Sequence, residues 1–182
     1  TIDELDITDP AAVHAQVASM SPDLIVNAAA YTAVDRAEEE EAVARAVNAE
    51  GPRHLAEAAA LSGATLVHVS TDYVFDGTSS KPYRPEDQPN PLSAYGRTKL
   101  EGERAVVEVL GSEALIVRTA WLYDAVGPNF LTTMLRLMNE RTEVRVVDDQ
   151  CGTPTWAPTL ARAIWGLVDG DARGIFHVTD AG

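Results

Sequence analysis

Three short apolar runs, separated by segments of helical periodicity, constrain the fold of this chain more than any other feature. The runs are Leu24-Ile25-Val26, Leu66-Val67-His68-Val69 and Leu115-Ile116-Val117. Near-continuous apolar runs suit strands that are covered on both faces, as in a parallel sheet. Strand–helix alternation with long crossovers therefore predicts an α/β fold with a doubly wound parallel sheet.

The element boundaries follow from the same patterns. The predicted strands are residues 23–28, 64–70, 114–119, 143–147 and 174–179. The predicted helices are residues 10–19, 35–61, 93–110, 129–140 and 158–168. Residues 76–91, which contain four prolines, form a long loop, and long ordered loops are usually functional.

The net charge and the cysteine content of the chain disfavour several classes of partner. The 182 residues carry a net charge of −14, which disfavours a nucleic-acid backbone or an anionic membrane surface. Cys151 is the single cysteine, so no internal disulfide is possible, and a free thiol fits a reducing cytoplasm. No apolar run approaches the roughly 18 residues of a spanning helix, and no signal peptide is visible. We expect a cytoplasmic monomer or homodimer without a nucleic-acid or membrane partner.

Two further groups of residues are interpreted as structural. The four histidines are scattered, so no metal site is predicted. The acidic run Glu38–Glu41 suits solvent and the start of a long helix. The chain begins at Thr1 and ends at Gly182 just after a strand-like segment, so we expect it to be part of a longer protein.

The motif Tyr95-Gly96-Arg97-Thr98-Lys99 carries the strongest chemical signal. Positions i and i+4 of a helix share one face, which places the phenol of Tyr95 beside the ammonium of Lys99. A neighbouring cation lowers the pKa of a phenol and makes it a usable proton donor near neutral pH. The alternative is a solvated lysine beside a half-buried tyrosine, because the pattern also occurs by chance.

Ligands of open parallel sheets bind beyond the carboxyl ends of the strands, so the residues after each strand are candidates. Thr71 follows the second apolar run and can face the same crevice as Tyr95. After the first run, three small residues allow a flat ligand to approach closely, or they pack a tight turn; these are Ala28, Ala29 and Ala30. Trp121 follows the third run and is as consistent with the core as with a pocket wall.

Together these segments resemble the extended branch of the short-chain dehydrogenase/reductase superfamily and, within it, the dTDP-4-dehydrorhamnose reductases. The most specific stretch is Ser-Thr-Asp-Tyr-Val-Phe-Asp-Gly at residues 70–77. The other matching stretches are residues 5–9, 27–38, 47–48, 95–99, 118–121 and 149–155. They cover nearly the whole chain in the family's order.

The resemblance implies reduction of the C4 ketone of dTDP-4-dehydro-L-rhamnose to dTDP-L-rhamnose with NADPH or NADH. It implies that Tyr95 donates the proton and that the Thr71 hydroxyl binds the carbonyl oxygen. It also implies that Lys99 lowers the pKa of Tyr95 and holds the nicotinamide ribose. Asn48 is the implied member of a proton relay. The implied adenine and cofactor contacts are Asp6, Ile7, Ala28, Ala29, Ala30 and Tyr31. The implied sugar pocket contains Val34, Thr71, Asp72, Tyr73 and Trp121.

Two departures from the family limit the expectation. None of the glycines forms the Gly-rich phosphate motif, so the fragment is expected to start near the third strand of the family's fold. The family also continues past Gly182. We expect residues 1–120 to form the nucleotide-binding core, residues 121–156 part of the sugar-nucleotide lobe, and residues 157–182 a return to the core.

Two other functions stay open. Some relatives of this fold are non-catalytic regulatory subunits, such as that of methionine adenosyltransferase. Another nucleotide-sugar reductase or epimerase would share the same catalytic residues and differ in substrate.

Overall fold

The computed structural model describes residues 4–181 of the chain. Its α-helices are α1 (Pro10–Met20), α2 (Val34–Ala37), α3 (Glu41–Arg45), α4 (Gly51–Ser62), α5 (Ala94–Leu110), α6 (Phe130–Glu140) and α7 (Ala157–Asp169). Its strands are β1 (Leu24–Asn27), β2 (Thr65–Thr71), β3 (Leu115–Thr119), β4 (Leu122–Tyr123), β5 (Thr155–Trp156) and β6 (Gly174–His177). Four of the five predicted strands are therefore present, with boundaries shifted by one or two residues.

The main sheet has four strands in the order β1-β2-β3-β6. The β1–β2 and β3–β6 pairings are parallel. Strands β4 and β5, which the sequence analysis missed because each has only two residues, form a separate parallel pair.

Both faces of the main sheet are covered. Leu66 and Ile116 pack on one face in a core cluster with residues of α1, α4 and α5, among them Val13 and Val106. Val67 and Val117, which alternate to the other face, are fully buried as well. The predicted α/β fold with a doubly wound parallel sheet is confirmed.

The prediction of one helix over residues 35–61 is wrong. The segment forms α2, a turn, α3, a π-helical turn over Ala46–Glu50, and then α4. The π-helical turn contains Asn48, whose side chain bonds the backbone of Tyr31. A tertiary contact thus overrides the helical periodicity, and π-helical turns are frequent at functional sites.

The predicted strand at residues 143–147 is wrong too. This segment is mostly exposed, and Arg145 pairs with Glu143 two residues away. Alternating valines resemble a half-buried strand in the sequence, but the segment pairs with no strand in the described part of the chain.

The described chain divides into two compact units. One contains residues 4–118 and 172–177, and the other contains residues 119–171 and 178–181. The functional roles expected for residues 1–120, 121–156 and 157–182 stay predictions. No helix within residues 4–181 combines the length and the apolar character that crossing a membrane requires.

Candidate active site

The first turn of α5 positions Tyr95 directly against the end of β2. The helix begins at a capped end, where the Ser93 hydroxyl accepts a hydrogen bond from the Gly96 nitrogen at 3.1 Å. A Cβ on Gly96 would lie 2.2 Å from the carbonyl oxygen of Tyr73, so only glycine allows this approach. The rings of Tyr73 and Tyr95 then meet edge to face at 5.5 Å.

Thr71, at the carboxyl end of β2, lies near the phenol of Tyr95, and their shared crevice stays a prediction. The Thr71 side chain lowers the pKa of the Tyr95 phenol. Its hydroxyl also donates to the carboxylate of Asp72 at 3.1 Å and accepts from the Tyr73 nitrogen at 3.2 Å. The threonine hydroxyl is thus fixed by Asp72 and Tyr73 at the carboxyl end of β2.

Lys99 lies in the interior and not in solvent. It is 2% exposed, and its Nζ donates a hydrogen bond to the carbonyl oxygen of Val69 at 2.7 Å. Burial lowers the pKa of Lys99 to about 8, and the carboxylate of Glu103 opposes this shift. The alternative of a solvated lysine is therefore wrong.

The expected direction of the Tyr95 pKa is also wrong in this structure. Burial of the phenol raises the pKa of Tyr95, and the hydrogen bond with Thr71 acts in the opposite direction. Desolvation of the phenolate outweighs the attraction that we expected from Lys99. The phenol consequently stays in its acid form at neutral pH, which is the form that can donate a proton.

Asp72 and Tyr73, the two expected sugar contacts that follow Thr71, are partly buried. Burial raises the pKa of the Asp72 carboxyl. Burial also raises the pKa of Tyr73, with smaller contributions from Asp72 and Asp35. Since Asp35 belongs to α2, the charge of this short helix acts on Tyr73. Val34, the first residue of α2, is half-buried, and its contact with a sugar stays a prediction.

The Asn48 side chain is hydrogen-bonded to the backbone of Tyr31 and to Thr98 of α5. It is fully buried, and its side-chain oxygen accepts from the Tyr31 nitrogen at 2.8 Å. Its side-chain nitrogen donates to the Tyr31 carbonyl at 3.1 Å and to the Thr98 hydroxyl at 3.2 Å. The side chain therefore joins the expected cofactor segment to α5, and its role in a relay stays a prediction.

The segment that is expected to bind the cofactor follows β1, and the side-chain amide of Asn27 holds its start. The Asn27 side-chain oxygen accepts from the Ala29 nitrogen at 3.1 Å, and its nitrogen lies 3.1 Å from Nδ1 of the buried His68. Ala28 and Ala29 are exposed. Exposed small side chains at the carboxyl end of a strand leave room for a flat ligand, so these residues fit a nicotinamide cofactor.

Asp6 and Ile7 are engaged locally. The Asp6 carboxylate accepts from the nitrogen and the hydroxyl of Thr8 at 2.9 and 2.8 Å, which lowers its pKa. The Ile7 side chain is buried against Gly51, and its carbonyl lies 3.0 Å from the ring of His54. Contact with adenine stays a prediction for both residues.

Trp121 lies in the second compact unit. Its backbone has a left-handed φ of 46°, and its carbonyl accepts from the Thr155 nitrogen at 3.2 Å. The indole is 41% exposed and packs on Gly152, where a Cβ would lie 2.7 Å from the ring. A core position is therefore wrong, and its role in the sugar pocket stays a prediction.

Two acidic residues support the site that were not predicted from the sequence, Glu38 and Glu40. Glu38 accepts from the Ala94 nitrogen at 2.6 Å, at the start of α5. Glu40 accepts from the Tyr31 hydroxyl at 2.5 Å. The run that was interpreted as a solvated face thus holds two elements of the site. The partner of Glu38 lies 56 residues away in the chain, so no local pattern could reveal it.

Among residues 4–181, no group of three or more His, Cys, Asp or Glu side chains could hold a metal ion. A cleft of about 520 Å³ on another flank of α5 is lined by residues such as Gln88, Leu100 and Val107. It does not include Thr71 or Tyr95, so the candidate chemistry lies outside it.

Known proteins resemble this chain over its whole length. A family model described as the RmlD substrate binding domain matches residues 1–182. A dTDP-4-dehydrorhamnose reductase from Streptomyces griseus is 53% identical over 98% of this chain and 60% of its own length. A dTDP-4-keto-6-deoxy-D-glucose reductase from Streptomyces niveus is 50% identical over 98% of this chain and 62% of its own length.

A solved structure agrees in fold. The crystal structure of a dTDP-4-dehydrorhamnose reductase from Bacillus anthracis in complex with NADP superposes with a TM-score of 0.95. It is 43% identical, and the match covers 99% of this chain and 64% of that chain. The chain thus spans less than two thirds of the length of each of these three proteins.

Proposed function

The chain belongs to the RmlD substrate-binding domain family, and on that premise we propose that its protein reduces the C4 ketone of dTDP-4-dehydro-L-rhamnose with NADPH or NADH. The observation that carries the proposal is the proximity of Thr71 to the Tyr95 phenol, with the buried Lys99 one helical turn further along α5. The relatives with 53% and 50% identity are named as reductases of dTDP-linked keto sugars.

The proposed roles divide the reduction between two side chains and the cofactor. Thr71 donates a hydrogen bond to the ketone oxygen and orients it as negative charge develops. Tyr95 gives its phenolic proton to that oxygen, so that the ketone becomes a hydroxyl and the phenolate is protonated again from solvent. A bound nicotinamide cofactor supplies the hydride for the carbon atom.

The remaining predicted residues would hold the two ligands. Lys99, whose ammonium lies beside the end of β2, would donate to ribose hydroxyls of the cofactor. The segment from Ala28 to Tyr31, fixed by Asn27 and Asn48, would form the wall on which the cofactor rests. Asp72 and Tyr73 follow Thr71 directly and would contact the sugar.

The test is reduction of dTDP-4-dehydro-L-rhamnose by the full-length protein, followed as ketone-dependent oxidation of NADPH. Tyr95→Phe removes the phenolic oxygen and is expected to lower kcat by roughly 10²- to 10⁴-fold with the cofactor affinity unchanged. Tyr83→Phe removes a phenol that bonds Asp76 in the long loop, and it serves as the control. Full turnover by Tyr95→Phe would contradict the proposed proton donor.

A related substrate is the second candidate, because the Streptomyces niveus relative is named as a dTDP-4-keto-6-deoxy-D-glucose reductase at nearly the same identity. Both reactions reduce a C4 ketone, and they differ in the sugar that the pocket accepts. Competition between the two keto sugars, with the products identified by NMR, separates these candidates. Absence of turnover with every dTDP-keto sugar would favour a non-catalytic regulatory subunit.

Location and assembly complete the proposal. A nucleotide sugar and a nicotinamide cofactor are multiply charged and are kept in the cytoplasm, so we place the protein there. The net charge of −14 gives no support to a nucleic-acid partner. A monomer or a homodimer is compatible with a site whose proposed catalytic residues come from one chain, and sedimentation of the full-length protein distinguishes the two.

A further inference from the structure

A buried ion pair lies next to the candidate site and has no part in the proposed chemistry. The guanidinium of Arg118 on β3 donates two hydrogen bonds to the carboxylate of Glu103 on α5, at 2.8 and 2.6 Å. Both side chains are only 3% exposed. Arg118 also lies over the ring of Phe75, 5.1 Å from its centroid, and 3.4 Å from Nε2 of His177. This fork fixes the carboxylate at one position.

Glu103 lies four residues, about one helical turn, beyond Lys99 on α5. Residues 95, 99 and 103 of α5 are spaced by four, so Tyr95, Lys99 and Glu103 lie along the same side of the helix. Lys99 and Glu103 are each 2% exposed. A buried ammonium is therefore followed by a buried carboxylate, in an interior where charges are only weakly screened.

The titratable and charged groups around Lys99 come from three elements, α5, β2 and β3. From its own helix, Glu103 favours the protonated ammonium; from β2, His68 would disfavour it if charged. Burial and Lys99 together lower the pKa of His68 far below its ordinary value, so His68 is neutral. Arg118 from β3 faces Glu103 and sets the position of the carboxylate. Glu103 is thus the charged partner that favours the ammonium of Lys99.

We propose that Glu103, held by Arg118, is a positioning residue that keeps the buried Lys99 side chain charged near the end of β2, where its Nζ donates to the Val69 carbonyl. The role rests on the proposed function, since a charged Lys99 is the form that would bind ribose hydroxyls and stabilise the Tyr95 phenolate. A purely structural ion pair would join α5 to β3 and would leave the protonation of Lys99 unchanged.

The pKa of Lys99 can be measured directly, because residues 1–182 contain two lysines, Lys81 and Lys99, and few lysine signals have to be assigned. In the full-length protein labelled with ¹³C at lysine Cε, the signal lost in Lys81→Arg is that of Lys81 and the signal lost in Lys99→Arg is that of Lys99, and a pH titration without ligands reports both pKa values. Lys81 is exposed and serves as the internal reference. Glu103→Gln is expected to lower the pKa of Lys99 by roughly one unit or more while the Lys81 titration stays in place.

Arg118→Lys is the matched control. It breaks the two-pronged hydrogen bond but keeps a cation beside Glu103, so the pKa of Lys99 should move by less than half of the shift in Glu103→Gln. Equal shifts in the two variants, or no shift in Glu103→Gln, would overturn the proposal. If Glu103→Gln does not fold, Glu103→Gln combined with Arg118→Met removes both buried charges and carries the same expectation for Lys99.

Kinetics then connect the residue to the reaction. In the full-length enzyme, Glu103→Gln should move the basic limb of the kcat/KM profile to lower pH by the shift that NMR measures, with activity at pH 6 largely retained. The titration needs no substrate, so an inactive protein with the expected NMR shift would contradict the proposed function alone. An active protein whose pH profile and NMR titration are unchanged in Glu103→Gln would contradict the positioning role alone.

Discussion

The side-chain amide of Asn48 binds the backbone of Tyr31 on both sides, accepting from its nitrogen at 2.8 Å and donating to its carbonyl at 3.1 Å. A side chain that can only accept or only donate hydrogen bonds cannot make both contacts. The pair fixes the segment that leaves β1 against the π-helical turn, and it does so from a fully buried position. The consequences of removing either half of the amide are therefore measurable.

Asn48→Asp keeps the size of the side chain but loses the donor at Nδ2. A carboxylate oxygen then faces the Tyr31 carbonyl oxygen without a proton between them, so we expect the free energy of unfolding to fall by about 1–3 kcal/mol. Urea unfolding measures the loss, and hydrogen exchange of the Tyr31 amide measures the local opening. Asn139→Asp, at an exposed position of α6, should change the stability by less than about 0.5 kcal/mol. Equal effects of the two variants would contradict the importance of the paired amide.

Gly96 allows the first turn of α5 to approach the backbone of Tyr73, which follows β2. Because a Cβ would lie 2.2 Å from the Tyr73 carbonyl oxygen, Gly96→Ala must displace either the helix or Tyr73. We expect a loss of about 1–3 kcal/mol in the free energy of unfolding, together with loss of the Tyr73–Tyr95 ring contact. Gly166→Ala in α7 meets no atom within 4 Å and should stabilise the helix by about 0.5–1 kcal/mol. We expect the urea midpoint of unfolding to fall in Gly96→Ala and to rise in Gly166→Ala.

Lys99 makes stability depend on pH in an identifiable direction. Its pKa is lowered to about 8 in the folded protein against 10.5 in the unfolded chain. Between these values the unfolded chain binds more protons, so the free energy of unfolding rises with pH. The rise from pH 7.5 to 9.5 should be about 2 kcal/mol and should vanish in Lys99→Met. Lys81→Met, at an exposed site, should keep the rise of the free energy of unfolding with pH. If the rise survives in Lys99→Met, it belongs to another titratable group.

Local patterns predicted the elements that depend on near neighbours. The apolar runs predicted β1, β2, β3 and β6, and the four-residue spacing predicted that Tyr95 and Lys99 share a helix face. These features are fixed by strand and helix periodicity, which short windows of sequence contain.

Partners that are distant in the chain account for what was missed. Glu103 and Arg118 are 15 residues apart, and Glu38 and Ala94 are 56 apart, so no spacing rule connects them. The direction of the Tyr95 pKa failed for a related reason. The sequence gives the charge that neighbours the phenol, but the desolvation that outweighs it depends on how the folded chain buries the ring.

Gly152 determines the position of the Trp121 indole, and this contact tests the predicted sugar pocket. A Cβ at residue 152 would lie 2.7 Å from the indole, so Gly152→Ala must push the ring from its place. If Trp121 contacts the sugar, KM for the keto sugar should rise by roughly 10-fold or more, while KM for the cofactor stays constant. Steady-state kinetics of the full-length variant measure both constants, and near-UV circular dichroism reports the movement of the ring. Ala125→Ser adds an atom at an exposed position nearby in sequence and should leave both constants unchanged. A displaced indole with an unaltered KM for the sugar would remove Trp121 from the pocket.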